Sequence, residues 1–141
     1  MSTVTMSGAK DYDVNKDQPD KVTCGEAGGL LIGDVVVVDA TETATKLDVA
    51  TYAGDGTDIR ICLSASAQNN AIQVARQGTD LIGITLSEGD VLFAKGIGLV
   101  GDDFATDVTS GDDVIIIGFY AESGTDVIFR FAVTHCGYEK S

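Results

Sequence analysis

A glycine, followed directly or after one threonine by aspartate and then by a β-forming run, occurs six times in this chain. The copies are Gly33-Asp34 before Val35 to Val38, Gly56-Thr57-Asp58 before Ile59 to Ile61, and Gly78-Thr79-Asp80 before Leu81 to Ile84. Three more follow: Gly89-Asp90 before Val91 to Lys95, Gly111-Asp112-Asp113 before Val114 to Ile117, and Gly124-Thr125-Asp126 before Val127 to Phe129. Glycine takes positive φ at little cost and aspartate bonds back to nearby backbone, so each copy reads as a turn that launches a strand. The spacing runs close to one or two multiples of roughly eleven residues, the beat of strand plus turn in sandwiches and barrels. Wider gaps should each hide a further strand, and Lys46-Leu47-Asp48-Val49 and Ala71-Ile72-Gln73-Val74 alternate as such strands do. Residues 64–70 lack a period and read as a loop or helical turn. The expectation is an all-β fold: a compact antiparallel β-barrel or sandwich of about eight to ten short strands.

With 141 residues, 44% of them hydrophobic and 22% charged, the chain can form one domain with a sizeable core. Seventeen glycines against one proline fit many tight turns. Residues 1–22 differ, being polar and holding Pro19, and read as an extended N-terminal arm ahead of a β-domain at 23–141. The start has neither a basic region nor an apolar run, so no signal peptide is expected. No stretch reaches the roughly 20 apolar residues of a spanning helix.

Strand faces differ. Val127 to His135 alternates, with Val127, Phe129, Phe131 and Val133 on one face and Arg130 and Thr134 on the other, as in a half-buried strand. The runs Val35 to Val38 and Val114 to Ile117 are apolar on both faces. Their second face needs a cover: a loop, a second sheet, or a neighbouring copy.

Chemistry is harder to find. Cys24, Cys62 and Cys136 lie far apart and read as buried free thiols, or as one disulfide plus a free thiol. His135 is the single histidine, and its parity with Phe131 and Val133 places it at the rim of a core in a structural role. A hydrolytic triad, a phosphate loop and a zinc set are all missing their partners. Asp11 to Asp17 begins like a calcium loop, yet Lys16 stands where glycine is needed and Val22 where glutamate is, so it reads as a solvated loop. Asp102-Asp103 and Asp112-Asp113 are adjacent pairs, which on a strand point to opposite faces and cannot flank one glycosidic bond. No enzyme activity, cofactor or metal is expected. A net charge of −13 repels phosphate backbones and anionic headgroups, so neither nucleic acid nor a membrane is an expected partner.

Gly25 to Asp39, with its Gly33-Asp34-Val35 step, then Ile82-Gly83-Ile84 leading to Gly89-Asp90-Val91, and the Gly96-Ile97-Gly98 strand resemble the small β-barrel decoration, or cement, proteins of tailed-bacteriophage heads. The similarity covers residues 25–133; the arm and residues 65–77 have no counterpart. It implies a structural virion protein, made in the host cytoplasm, that binds the capsid exterior. The implied partners are the major capsid protein and further copies of the chain in a homotrimer. Val4, Met6, Tyr12 and Val14 are then the expected arm contacts with a neighbour, and residues 35–38 or 114–117 the self-association face. The alternatives are another virion β-barrel, at a head–tail connector or fibre base, and a carbohydrate-binding β-module. A glycan-binding module should carry an exposed aromatic cluster and melt higher with its ligand.

Overall fold

The computed structural model describes residues 6–11, 20–83, 89–122 and 128–141. Among these the strands are β1 (Met6–Asp11), β2 (Asp20–Cys24), β3 (Val35–Val38), β4 (Thr43–Lys46), β5 (Ile59–Cys62), β6 (Ala71–Ala75), β7 (Gln77–Gly83), β8 (Val91–Lys95), β9 (Leu99–Gly101), β10 (Asp113–Glu122) and β11 (Ile128–Glu139). One helical turn, α1 (Phe104–Asp107), follows β9. The fold is all-β and contains both a barrel and a sheet. Five strands close a barrel in the order β2-β4-β3-β5-β6, and six form a sheet in the order β1-β7-β11-β10-β8-β9.

Every pairing in the sheet is antiparallel. In the barrel, β2 and β4 run parallel, which departs from the expectation of antiparallel pairing throughout. The reason is arithmetic: strands that alternate direction cannot close a ring with an odd number of members. One parallel pair is therefore required. Within residues 1–22, β1 is an edge strand of the sheet, with Met6 opposite Gly83 of β7, and β2 opens the barrel at Asp20.

Four of the six predicted turn glycines behave alike: Gly33, Gly56, Gly89 and Gly111 have φ of +89°, +88°, +89° and +91°. An L side chain is strained there, which accounts for glycine at the strand openings. Gly78 is different, lying inside β7 rather than before it. The copy at Gly124 lies outside the described residues. The strand expected at 46–49 is set earlier, at Thr43–Lys46, while Leu47 and Val49 are buried in the connection that follows. They are held there because Leu47 N–H donates to Val35 O (2.9 Å) and Val49 N–H to Gly96 O (3.1 Å). Ala71–Ala75 is a strand and residues 64–70 a loop, as the sequence predicts.

Two apolar clusters divide the interior. Val22, Cys24, Leu30, Val36, Ala44, Cys62, Ile72 and Val74 fill the barrel, with Val38 packed against them. The second cluster joins the two layers: Val35, Leu47, Ile59, Ile61 and Ala75 from the barrel side meet Leu92, Ala94, Val100, Ile115, Ile117 and Val133 from the sheet. Both faces of β3 are thereby accounted for. Val36 and Val38 point into the barrel, and Val35 and Val37 into the seam between barrel and sheet. The expectation of a self-association face at 35–38 is corrected accordingly: the cover is the chain's own second sheet. In β10, Ile115 and Ile117 face the same seam, whereas Ile116 is half-buried on the other side of the sheet.

All three cysteines are free, and only two are buried: Cys24 and Cys62 are 0% exposed inside the barrel, while Cys136 near the end of β11 is half-buried. Burial pushes the Cys62 thiol up, with the negative charge of Asp34 adding to the effect. In the folded protein an alkylating reagent should label Cys136 alone, and Cys24 and Cys62 should react only after denaturation. Peptide mapping of the labelled chain checks this, and native labelling of Cys62 would contradict the closed barrel.

Candidate functional site

Polar side chains gather where barrel and sheet meet. The chain crosses from β6 to β7 at Arg76, whose guanidinium donates to Gly56 O, while Val133 N–H on β11 donates to Arg76 O (3.2 Å). Gly56 N–H donates to the Tyr52 hydroxyl (2.7 Å), which donates in turn to Asp58 Oδ1 (2.6 Å). His135 on β11 lies against this loop. A Cβ on Gly56 would come 2.5 Å from the His135 Cβ, so glycine is needed for contact as well as for its positive φ. The imidazole meets Tyr52 edge-on, with ring centres 6.0 Å apart, and its Nε2 lies 2.9 Å from Asp113 Oδ2 on β10.

A histidine–carboxylate pair is half of a hydrolytic set, and the described neighbours do not complete it. The Tyr52 hydroxyl is occupied as both donor and acceptor. Burial, followed by its hydrogen bond to Asp58, pushes it up to about 12, so it stays protonated and neutral well into the alkaline range. The cluster fastens the layers together, with His135 half-buried and hydrogen-bonded at the rim of the core. Among the described residues no group of three or more histidine, cysteine or acidic side chains is placed to hold a metal ion. Nor is any helix there long and apolar enough to cross a membrane.

The outer face of the sheet has a different character. Ile116 pairs with Phe93 and Phe119 with Val91, and these four side chains lie on the side away from the barrel. A bulge in β10 between Ile116 and Gly118 keeps them there. Leu99 of β9 stands beside them opposite Lys95, and Phe104 of α1 packs its ring on Phe93, centres 5.3 Å apart. Val91, Leu99, Phe104 and Phe119 remain 40, 42, 37 and 44% exposed. Scattered exposed apolar residues are ordinary, whereas these form a contiguous set on the outer side of β8, β9 and β10.

Two lysines hold the edge of this face. Asp107, the buried charged residue at the end of α1, takes Lys95 Nζ at 3.2 Å on Oδ1 and Asp103 N–H at 3.0 Å on Oδ2. Gly101 makes room for that carboxylate, since a Cβ there would lie 2.3 Å from Asp107 Oδ2. Lys140 Nζ donates to Phe104 O, Ala105 O and Val108 O at 3.0, 2.8 and 2.6 Å, and sits 5.0 Å from the centre of the Phe104 ring. A cation at a helix C-terminus satisfies carbonyls that have no partner within the helix.

The sequence pointed elsewhere for contacts. Val4, Tyr12 and Val14 lie outside the described residues, and Met6 opens β1 in the chain's own sheet. Of the self-association candidates, residues 114–117 do reach the outer face, through Ile116. Phe93, Phe104 and Phe119 were not singled out, although alternation along Val91 to Lys95 carried the signal: Leu92 and Ala94 are buried, and Val91 and Phe93 point away. Neither acid pair lies within a strand: Asp102 and Asp103 fall between β9 and α1, and Asp112 precedes β10. Asp103 caps α1 by accepting Ala105 N–H (3.0 Å), and Asp113 pairs with His135.

Compared with protein-family profiles, curated proteins and solved structures, the chain matches none.

The Tyr52 environment makes a prediction about alkaline stability. Tyrosine in the unfolded chain ionises near pH 10, and in the folded chain near about 12. The stability contribution is therefore complete below about pH 10 and is lost as pH rises towards 12, because the unfolded state gains from ionisation first. Tyr52→Phe should flatten that decline, read as the urea midpoint by circular dichroism across the alkaline range. An unchanged slope would show that another group sets it.

Proposed function

We propose that this chain is a structural assembly protein, and specifically a decoration protein that binds the outer surface of a tailed-bacteriophage head and stabilises it. The observation that carries the reading is the contiguous apolar set on the outer side of β8, β9 and β10, held at its edge by Lys95 and Lys140. The resemblance of residues 25–133 to cement proteins supplies the capsid as the partner. Many repeated copies, each burying a modest face, would give avidity without a pocket. On this reading the chain is not an enzyme, its partners are the major capsid protein and its own copies as a homotrimer, and it resides on the virion exterior.

Deleting the arm is a poor test, because residues 6–11 are a strand of the sheet and their loss would uncover the edge of β7. The test is co-sedimentation of the intact chain with expanded heads assembled from the major capsid protein of the same virus. Saturable binding, together with a higher temperature of head opening, is expected. Failure to bind such heads at any ratio overturns the capsid reading.

The exposed phenylalanines favour a second reading, a carbohydrate-binding module. Its weakness is geometric, since Phe93 and Phe104 pack on each other at 59° instead of presenting a flat platform. A rise in melting temperature with one glycan of a panel would replace the first reading with this one.

A further inference from the structure

We propose that the outer face of the six-stranded sheet docks a protein surface whose apolar side chains are bordered by lysine or arginine. This rests on the assembly reading and narrows the partner. The apolar part, Val91, Phe93, Ile116 and Phe119 with Leu99 and Phe104 beside them, supplies the area to bury. Its charge is asymmetric. Phe93 pairs with Gly101, so the start of β8 and the end of β9 lie side by side, and Asp90, Asp102 and Asp103 collect at that corner next to Val91.

Negative charges crowd at that corner. The Asp102 carboxyl is pushed up, first by burial and then by the negative charge of Asp90, with smaller contributions from Asp107 and Asp103. Its Oδ1 is buried and accepts no hydrogen bond. The nearby lysines are already engaged, Lys95 with Asp107 and Lys140 with the carbonyls of α1. Arg130, exposed and paired across the ladder with Phe119, stands at the other side of the apolar set.

Charge complementarity selects the occupant. A second copy would set two chains of net charge −13 against each other. An anionic lipid surface would be repelled in the same way. A surface with apolar side chains and a basic border satisfies both halves of the face.

The probes are two synthetic peptides, one alternating leucine and lysine, the other leucine and glutamate, titrated into the isotope-labelled full-length chain. The leucine–lysine peptide should bind saturably and shift the amides of residues 91–95, 104 and 116–120. Its affinity should fall with salt. Phe119→Ser, an exposed position, should weaken it at least about fivefold. Asp102→Asn with Asp103→Asn keeps the cap on α1, since asparagine caps as well as aspartate, and should reduce the salt dependence. Equal binding of the leucine–glutamate peptide overturns the proposal, as do shifts spread over the acidic loops of the barrel or full affinity in Phe119→Ser. Concentration-dependent sedimentation of the wild type that Phe119→Ser abolishes assigns the face to a second copy and overturns it too. If heads bind the chain and the leucine–lysine peptide does not, this inference falls and the capsid reading stands; the opposite pair of results removes the capsid and keeps the docking chemistry.

Discussion

Four consecutive valines in β3 hold the two layers of this protein together. A strand exposes alternate side chains to opposite faces, so a run apolar on both sides is stable only between two apolar surfaces. Val36 and Val38 meet the barrel interior while Val35 and Val37 meet the seam with the sheet. Full burial of a valine is worth about 2 kcal/mol, and Val35 and Val36 are both 0% exposed. Neither layer could be removed without uncovering one side of this strand. The backbone reinforces the junction: Val35 N–H donates to Gly98 O (3.0 Å), and Gly98 N–H donates to Leu47 O (2.7 Å). The Gly96-Ile97-Gly98 turn is therefore a docking element that ties the β8–β9 hairpin to the barrel. At Gly98 a side chain would press on the Lys46 stem, with a Cβ 2.9 Å from its Cγ.

The glycine–aspartate repeat made the all-β class legible, because a turn followed by a β-forming run is a local instruction. Four of the six glycines adopt nearly one value of φ, which is as close as a sequence comes to stating a backbone angle. What the aspartates do is less local. Asp34 Oδ2 accepts Leu31 N–H (2.8 Å) within its own turn, whereas Asp58 binds Tyr52 and Asp113 binds His135. The same two letters thus serve a turn in one place and a tertiary contact in another. Gly78 shows the limit, since it lies inside β7, where the register with β11 shifts between Gln77 and Asp80 and the strand nonetheless continues. Pairing between distant strands overrode the local signal.

The division into barrel and sheet was not legible, and the doubly apolar strands show why. At Val35 to Val38 the pattern demanded a second cover without specifying what it was; a second sheet and a neighbouring copy leave identical marks on one strand. The contact face was obscured for a related reason. Val91 to Lys95 alternates as an inward Leu92 and Ala94 with an outward Val91 and Phe93, so its outer half is apolar where a solvated strand would be polar. That departure is visible in five residues, but its weight depends on Ile116 and Phe119 arriving on the neighbouring strand, and a bulge sets their phase.

Charge placement follows from the same economy of contacts. Of nine basic residues, Arg60, Arg76, Lys95 and Lys140 donate to the chain's own carbonyls or carboxylates. A long cationic side chain that folds back to satisfy a carbonyl or a buried carboxylate strengthens a junction, and it also withdraws positive charge from the surface. Several acids sit in turns and accept backbone N–H groups; hydrogen bonds from Thr41 and Thr57 hold Asp39 and Asp55 below the usual carboxylate range. The net charge of −13 is set by composition, and the way the fold is fastened decides where positive charge is left on the surface. On the assembly reading, the apolar set on β8, β9 and β10 is where desolvation outweighs the repulsion between acidic surfaces.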